Sequence, residues 1–135
     1  MYECAYFDIK ELVSKKVFVD RGQRAWGLLD ERALITLDAL RKRFGPITVN
    51  DWAWGGVNQY RGLREPGCQI GATYSQHRFG RAFDCIFKNT SAQAVREYIM
   101  ADPDEFPYIS ALELNTSWLH FDVRNTGPAL LTFNP

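Results

Sequence analysis

The chain has 135 residues, of which 46% are hydrophobic and 14% aromatic, which is typical of one compact domain with its own core. Sixteen basic residues balance sixteen acidic ones, so the net charge does not favour binding to nucleic acid or to an anionic membrane. The three cysteines show no CxxC spacing, so we expect reduced thiols. The amino terminus has no apolar leader, which predicts no secretory signal. No apolar run approaches about 20 residues, so no membrane span is predicted.

The amino-terminal half of the chain predicts one long helix followed by a short strand. Apolar residues recur there at helical spacing, at Leu34, Leu37, Leu40 and Phe44. We expect a helix over about residues 28–44, with Asp30 as its N-cap and Gly45 and Pro46 at its end. A strand over residues 47–49 follows.

A long segment, residues 51–75, is rich in glycine and aromatic residues and predicts an ordered loop. Loops of this length in small domains are usually functional or disordered. Its aromatic side chains either wall a groove for an extended ligand or fill the core: Trp52, Trp54, Tyr60 and Tyr74.

The carboxy-terminal half contains further predicted elements, namely a strand over 82–87, a helix over 92–100, and strands over 108–114 and 118–123 joined by a turn. Helices and strands do not alternate as βαβ units. We therefore expect an α+β fold with a small, mainly antiparallel sheet and flanking helices, forming a single domain over residues 1–135.

Three side chains from two of these strands and the preceding turn are candidate metal ligands. Asp84 lies among apolar neighbours on its strand, and a buried carboxylate is costly unless it is paired or bound to a metal. His77 precedes it, separated by Gly80, where the chain can turn back. His120 lies on the strand face opposite the apolar residues of its own strand. Two histidines and one carboxylate, with a fourth position open to water, form one type of catalytic zinc site.

Simpler interpretations of the same residues remain open at this point. A single histidine on a strand is more often a polar residue satisfied by hydrogen bonds than a metal ligand. Asp84 could pair with Arg78 or Arg81 instead of binding a metal.

The segment SQHRFGRAFD, residues 75–84, matches the pattern S-x-H-x-x-G-x-A-x-D at all five fixed positions. This sequence resembles a zinc peptidase family that contains D-alanyl-D-alanine carboxypeptidases and dipeptidases, phage endolysins that cleave L-alanyl-D-glutamate bonds, and Hedgehog-like domains. SWLHFD, residues 117–122, resembles the family strand with the last histidine ligand, and RGLREP, residues 61–66, resembles a turn whose arginine faces the substrate. The resemblance covers roughly residues 46–124.

The resemblance implies a Hedgehog-like or DD-peptidase-like fold. It also implies one Zn²⁺ per chain on His77, Asp84 and His120, and a substrate-facing Arg64 that stabilises an oxyanion or holds a substrate carboxylate. Ser75 is expected to contact the substrate or to form a hydrogen bond near the site.

The sequence departs from the family at the general base. Many members have Glu or Asp three residues before the last histidine, or a histidine two residues before it, and these positions here hold Ser117 and Trp118. Glu113 is the substitute that we predict as the general base. A hairpin turn with an even number of residues would pair Glu113 with Trp118 and place it on the face of His120, whereas a three-residue loop would turn it away.

Asp122 is expected to face the same cleft, although pairing with Arg124 is an equal alternative. Trp118 is a further predicted substrate contact.

Together these features predict a zinc metallopeptidase that cleaves peptidoglycan stem peptides, as a D,D-carboxypeptidase or an endolysin-type endopeptidase encoded by a phage. The alternative is a catalytically inactive, zinc-containing module of the same fold that binds the cell wall or has a structural role. We expect a monomer whose partner is the stem peptide, with no nucleic acid or membrane partner. It would be made in the cytoplasm and would reach the cell wall by phage-mediated release or within a virion.

Overall fold

The structure, a computed structural model, describes residues 1–135 and has an α+β architecture, as predicted. The helices are α1 (Lys15–Arg21), α2 (Glu31–Phe44) and α3 (Ala92–Ala101). The strands are β1 (Ile47–Thr48), β2 (Ala82–Phe87), β3 (Ala111–Glu113), β4 (Leu119–Asp122) and β5 (Leu131–Phe133). None of the helices combines the length and apolar character needed to cross a bilayer.

The five strands form one mixed sheet in the order β1-β2-β4-β3-β5. The pairs β1–β2, β2–β4 and β3–β4 are antiparallel, which confirms the mainly antiparallel sheet, and β5 pairs with β3 in parallel. Strand β5, which has three residues and lies at the edge of the sheet, was not predicted. The predicted strands over 108–114 and 118–123 are also longer than β3 and β4, because loop and turn residues flank both.

Local capping sets where the helices begin. Asp30 is the N-cap of α2 as predicted and its carboxylate accepts from the Arg32 amide, so the helix begins at Glu31 instead of residue 28. The preceding segment, Gly22–Leu28, forms a 3-10 helix. Helix α1 was not predicted, and its N-cap is Ser14, whose hydroxyl accepts from the Val17 amide.

The hydrophobic core lies on one face of the sheet. Strand alternation places Phe83, Cys85, Leu112, Leu119 and Phe121 on this face, and all five are fully buried. They pack in one cluster with the apolar stripe of α2 and with Val95 and Ile99 of α3. The opposite face of the sheet is therefore left for other side chains. No disulfide joins the three cysteines in the structure.

Candidate metal centre

A row of side chains crosses the sheet on the face opposite the core. Asp84 on β2 lies opposite His120 on β4. The β3–β4 register pairs Leu112 with Phe121, so the next residue along β3, Glu113, continues opposite His120. Glu113 in turn pairs with Phe133 on β5. Asp84, His120, Glu113 and Phe133 thus lie side by side on four adjacent strands, because directly paired residues share a face.

The turn before β2 brings His77 to this row. His77 lies in a short 3-10 helix, Gln76–Phe79, and the Ser75 hydroxyl at its N-cap accepts from the His77 amide at 3.3 Å. The chain then reverses at Gly80, which adopts a left-handed φ of 68°. A Cβ there would lie 2.3 Å from the carbonyl oxygen of Leu28, so only glycine fits.

The three predicted metal ligands converge. Asp84 Oδ2 lies 3.2 Å from His77 Nε2, and Asp84 Oδ1 lies 2.9 Å from His120 Nδ1. The ligand atoms of all three residues lie within 4.8 Å of one another. Bonds of about 2.0–2.1 Å to a tetrahedral ion would separate its ligand atoms by about 3.3 Å. The two separations that involve Asp84 are close to this value, so the residues present fit a metal ion.

The three ligands are buried together, with 3% of His77, 9% of Asp84 and 7% of His120 exposed. Neither alternative pairing of Asp84 occurs. Arg78 donates to the carbonyl oxygens of Cys68 and Ala72, and the Arg81 guanidinium lies over the Phe79 ring.

Hydrogen bonds on the far side of each imidazole direct a lone pair toward the centre. His77 Nδ1 lies 3.1 Å from the carbonyl oxygen of Gly62, which can only accept, so Nδ1 carries a proton and Nε2 faces Asp84. His120 Nε2 lies 2.9 Å from Asp122 Oδ2. Such outer partners fix the tautomer and the ring orientation of metal-binding histidines.

Asp122 holds His120 and is not free in the cleft. Its side chain is fully buried, and Arg124 donates to both of its oxygens at 2.7 and 2.5 Å. Of the two alternatives for Asp122, the structure therefore shows the pairing with Arg124, and the contact with His120 adds to it. Asp122 lies between Ala82 and Ala111 in the neighbouring row. Both alanines are buried, and their small side chains leave room for this ion pair.

The electrostatics of the three-residue group follow from these contacts. Burial alone would raise the pKa of Asp84, but the charge of His77 and the hydrogen bond from His120 hold it well below its usual range. Burial alone would lower the pKa of His120, yet hydrogen bonds to Asp122 and Asp84 raise it to about 9. Without a metal, a proton shared among the two imidazoles and the carboxylate compensates the buried negative charge of Asp84. A bound metal cation would take the place of that proton.

A cleft of about 500 Å³ reaches the three ligands. Its lining includes the other residues that were predicted from the sequence to belong to the site: Arg64, Ser75, Glu113 and Trp118.

Glu113 lies on the predicted face, but the expected pair of Glu113 with Trp118 is wrong. The observed register slides the hairpin by two residues, so that Glu113 lies directly opposite His120, closer than the diagonal position that we expected.

Arg64 borders the cleft while it organises the long loop. Its Nε donates to the carbonyl oxygen of Tyr60 at 2.9 Å and its Nη1 to that of Ile70 at 3.2 Å. Nη1 also lies 3.4 Å from Ser75 Oγ. A Cβ at Gly71 would approach Arg64 Nη1 to 2.3 Å, so glycine lets the loop close against the guanidinium. Nη2 makes no hydrogen bond within the protein and remains available to a ligand.

Three of the four aromatic residues of the loop divide between the two interpretations, whereas Trp54 is exposed and lines neither cavity. Tyr74 lines the cleft and Tyr60 an adjoining cavity. Trp52 packs against Phe18 and donates to the carbonyl oxygen of Val13, so it has a structural role.

The sequence analysis did not identify Phe133, whose ring lies edge-on to His120 with 5.6 Å between centroids. No sequence signal marks it, because it reaches the site only through the edge strand β5.

Comparisons with protein-family models, with curated proteins and with solved structures give no match to this chain.

Proposed function

We propose that the protein is a zinc-dependent peptidase that cleaves peptidoglycan stem peptides and has a Hedgehog-like or DD-peptidase-like fold. The observation that carries the proposal is the buried group of His77, Asp84 and His120, whose ligand atoms lie within 4.8 Å of one another at the base of a cleft. The S-x-H-x-x-G-x-A-x-D pattern supports the peptidase assignment, since its serine, glycine and alanine each have a role in shaping this centre.

Zinc is the metal that suits this set of ligands. Imidazole nitrogens combined with a carboxylate oxygen are typical of zinc, whereas calcium and magnesium prefer oxygen ligands alone. Three protein ligands that line an open cleft are the arrangement of catalytic zinc sites. A bound zinc ion would supply Lewis-acid activation of water and of the scissile carbonyl group.

Glu113 would be the general base and general acid of the reaction. It lies opposite His120, and side chains in that position have Cβ atoms about 4.5–5.5 Å apart. In the proposed mechanism its carboxylate accepts a proton from the attacking water and passes that proton to the leaving amine. Asp122 cannot take this role, because His120 and Arg124 occupy both of its oxygens.

Arg64 would bind the negative charge that develops on the substrate. Its Nη2 is free of protein partners, while Nε and Nη1 are fixed by loop carbonyl groups. A guanidinium held in this way stabilises an oxyanion without reorganising during the reaction. Ser75 contributes by capping the helix of His77, and Trp118 forms part of the cleft wall.

The experiment that tests the proposal is hydrolysis of a purified stem peptide, followed by mass spectrometry. We expect new amino and carboxyl ends to form with zinc-loaded protein, no cleavage after chelation, and restored cleavage when zinc is returned. An intact peptide together with one tightly bound zinc would favour the alternative, an inactive module that binds the cell wall. That reading has its support in Ser117 and Trp118, which replace the acid or histidine of the family.

A further inference from the structure

Arg96 on α3 is a fully buried cation outside the metal centre. Only 1% of the residue is exposed, and it forms no ion pair with a carboxylate. Arginine is almost never fully buried unless it is paired, because its charge loses hydration. The acceptors that compensate the Arg96 guanidinium therefore show which part of the protein it serves.

These acceptors lie mainly in the turn between β3 and β4 and at its two ends. Arg96 Nε donates to the carbonyl oxygen of Glu113 at 3.0 Å, and Nη2 donates to that of Trp118 at 3.0 Å. Nη2 also lies 3.2 Å from the carbonyl oxygen and 3.3 Å from the hydroxyl oxygen of Thr116. The remaining acceptor is Gln93 Oε1 on the same helix, 2.5 Å from Nη1. One guanidinium thus joins the last residue of β3 to the residue before β4.

The turn lacks main-chain hydrogen bonds of its own, since none joins two residues of the segment 114–118 to each other. Within it Asn115 has a φ of 61°, the one positive φ in the chain outside glycine. Such a conformation persists where the surrounding structure enforces it. Hydrogen bonds from a charged donor are stronger than neutral ones. The guanidinium of Arg96 is therefore the group that fixes one end of the turn relative to the other.

Both ends of this turn contribute to the candidate site. Glu113 and Trp118 line the cleft, and Glu113 lies opposite His120. We propose that Arg96 is a positioning residue, which fixes the turn and so holds the Glu113 carboxylate in place at the cleft. The inference rests on the proposed peptidase function, in which Glu113 is the general base. A general base acts only within hydrogen-bond reach of the proton it removes, and a misplacement of about 1 Å can reduce turnover about 10²-fold.

Arg96→Lys, measured in two backgrounds, tests the proposal. Lysine keeps the positive charge, but its single ammonium group lacks the planar fork that spans both ends of the turn. We expect kcat on a stem peptide to fall about 10-fold or more when Glu113 is present. In Glu113→Gln protein the same change should lower kcat by less than about twofold, because the base that Arg96 positions is already lost.

The two backgrounds separate positioning from general damage to the fold. A purely structural defect reduces kcat by the same factor with or without the base, so equal factors in both backgrounds would overturn the proposal and leave the peptidase function standing. If zinc-loaded wild-type protein cuts no stem peptide, the peptidase function fails and the proposed role of Arg96 fails with it.

Val95→Ala is the matched control on the same helix. Val95 is fully buried in the hydrophobic core, so its truncation lowers the melting temperature and removes none of the hydrogen bonds to the turn. We expect its kcat, measured where the variant is folded, to stay within about twofold of that of the wild type. A loss of kcat equal to that of Arg96→Lys would overturn the specific role of Arg96.

Hydrogen exchange of the Leu114 amide gives a readout that does not depend on activity. The peptide group between Glu113 and Leu114 is held on both sides, because its carbonyl oxygen accepts from Arg96 and its N–H donates to the carbonyl oxygen of Phe133 at 2.7 Å. In metal-free protein we expect this amide to exchange about 10-fold faster in Arg96→Lys than in Val95→Ala. Equal exchange rates in the two variants would overturn the proposal.

Gln93→Ala keeps the proposal testable if Arg96→Lys does not fold. Gln93 is exposed, and its truncation removes only the acceptor of Arg96 Nη1 within the clamp. We expect kcat to fall about threefold when Glu113 is present and to be unchanged in Glu113→Gln protein. A kcat that is unaffected in both backgrounds, or lowered equally in both, would overturn the positioning role.

Discussion

Asp122→Asn tests whether the buried carboxylate behind His120 supports the metal site. The carboxylate accepts from His120 Nε2 at 2.9 Å and from Arg124 at 2.7 and 2.5 Å, and its side chain is fully buried. Asparagine preserves the volume but removes the charge. Its amide group can also present a donor to His120, which would favour the wrong tautomer. In that tautomer Nδ1, the atom that faces Asp84, carries the proton and offers no lone pair to a metal.

The expected loss can be estimated from the role of such outer carboxylates. Removing one typically lowers metal affinity by about 10- to 100-fold, equivalent to about 1.4–2.8 kcal/mol of binding free energy. The metal-free protein should also lose about 1.5–3 kcal/mol of unfolding free energy, because hydrogen bonds between charged groups are broken.

Competition with a chromophoric zinc chelator measures the affinity, and urea unfolding of the chelated protein measures the stability. Asp20→Asn is the matched control. Asp20 forms an exposed pair with Lys16 at 3.2 Å, and such pairs contribute about 0–1 kcal/mol. A zinc affinity for Asp122→Asn within about twofold of that of the control would refute the reasoning that Asp122 tunes His120.

Three further predictions follow from the site. Glu113→Gln should reduce turnover on stem peptides by about 10²-fold or more while zinc content and melting temperature stay unchanged, and near-normal turnover would exclude Glu113 as the base. Arg64→Ala should reduce turnover by about 10²–10³-fold. It should also lower the unfolding free energy by about 1–2 kcal/mol, because the hydrogen bonds of Arg64 to loop carbonyl groups are lost. Unchanged kinetics with lower stability would make Arg64 purely structural. In metal-free protein, folding raises the pKa of the His120 imidazole from its ordinary value of 6.5 to about 9. Its stabilising effect is therefore fully present below pH 6.5 and is lost as the pH rises through about 9, so the melting temperature of chelated protein should fall across this window. Zinc affinity should rise over the same window because the metal displaces that proton, and a flat melting profile would contradict the assigned contacts of His120.

The family pattern over residues 75–84 and the strand that carries His120 predicted that His77, Asp84 and His120 come together, and the structure brings their ligand atoms within 4.8 Å of one another. His77, Gly80, Ala82 and Asp84 lie within one short segment, and the structure gives each a distinct physical role. Strand alternation separated Asp84 and His120 from the apolar residues next to them on their own strands, and the antiparallel pairing of β2 with β4 places the two opposite each other. Long-range pairing then had only to bring two strands together in one register.

Features that depend on long-range pairing could not be predicted in the same way. The face of Glu113 follows from the parity of the hairpin turn, but its partner depends on a register that the turn residues alone do not fix. Strand β5 has three residues and exists only because the edge of β3 is available. Phe133 therefore gave no sequence signal, although it lies at the end of the row of site residues.

The hydrogen bonds of Asp122 and Arg64 also exceed what the sequence could show. An Asp two residues from a histidine on the same strand face can reach either that histidine or a nearby arginine, and here it reaches both. Arg64 was expected to face only the substrate, yet two loop carbonyl groups hold its guanidinium. The contacts of Arg64 depend on the path of a 25-residue loop, which periodicity does not specify.

The most direct test of the metal centre is zinc titration of protein that has been stripped with chelator, monitored by elemental analysis after removal of free ion. We predict one zinc per chain for the wild-type protein, with a higher melting temperature when zinc is bound. His120→Ala should lose stoichiometric zinc, because it removes one of three ligands whose atoms lie within 4.8 Å of one another. Absence of stoichiometric zinc from the wild-type protein, or full retention of it by His120→Ala, would contradict the assignment of His77, Asp84 and His120 as a metal site.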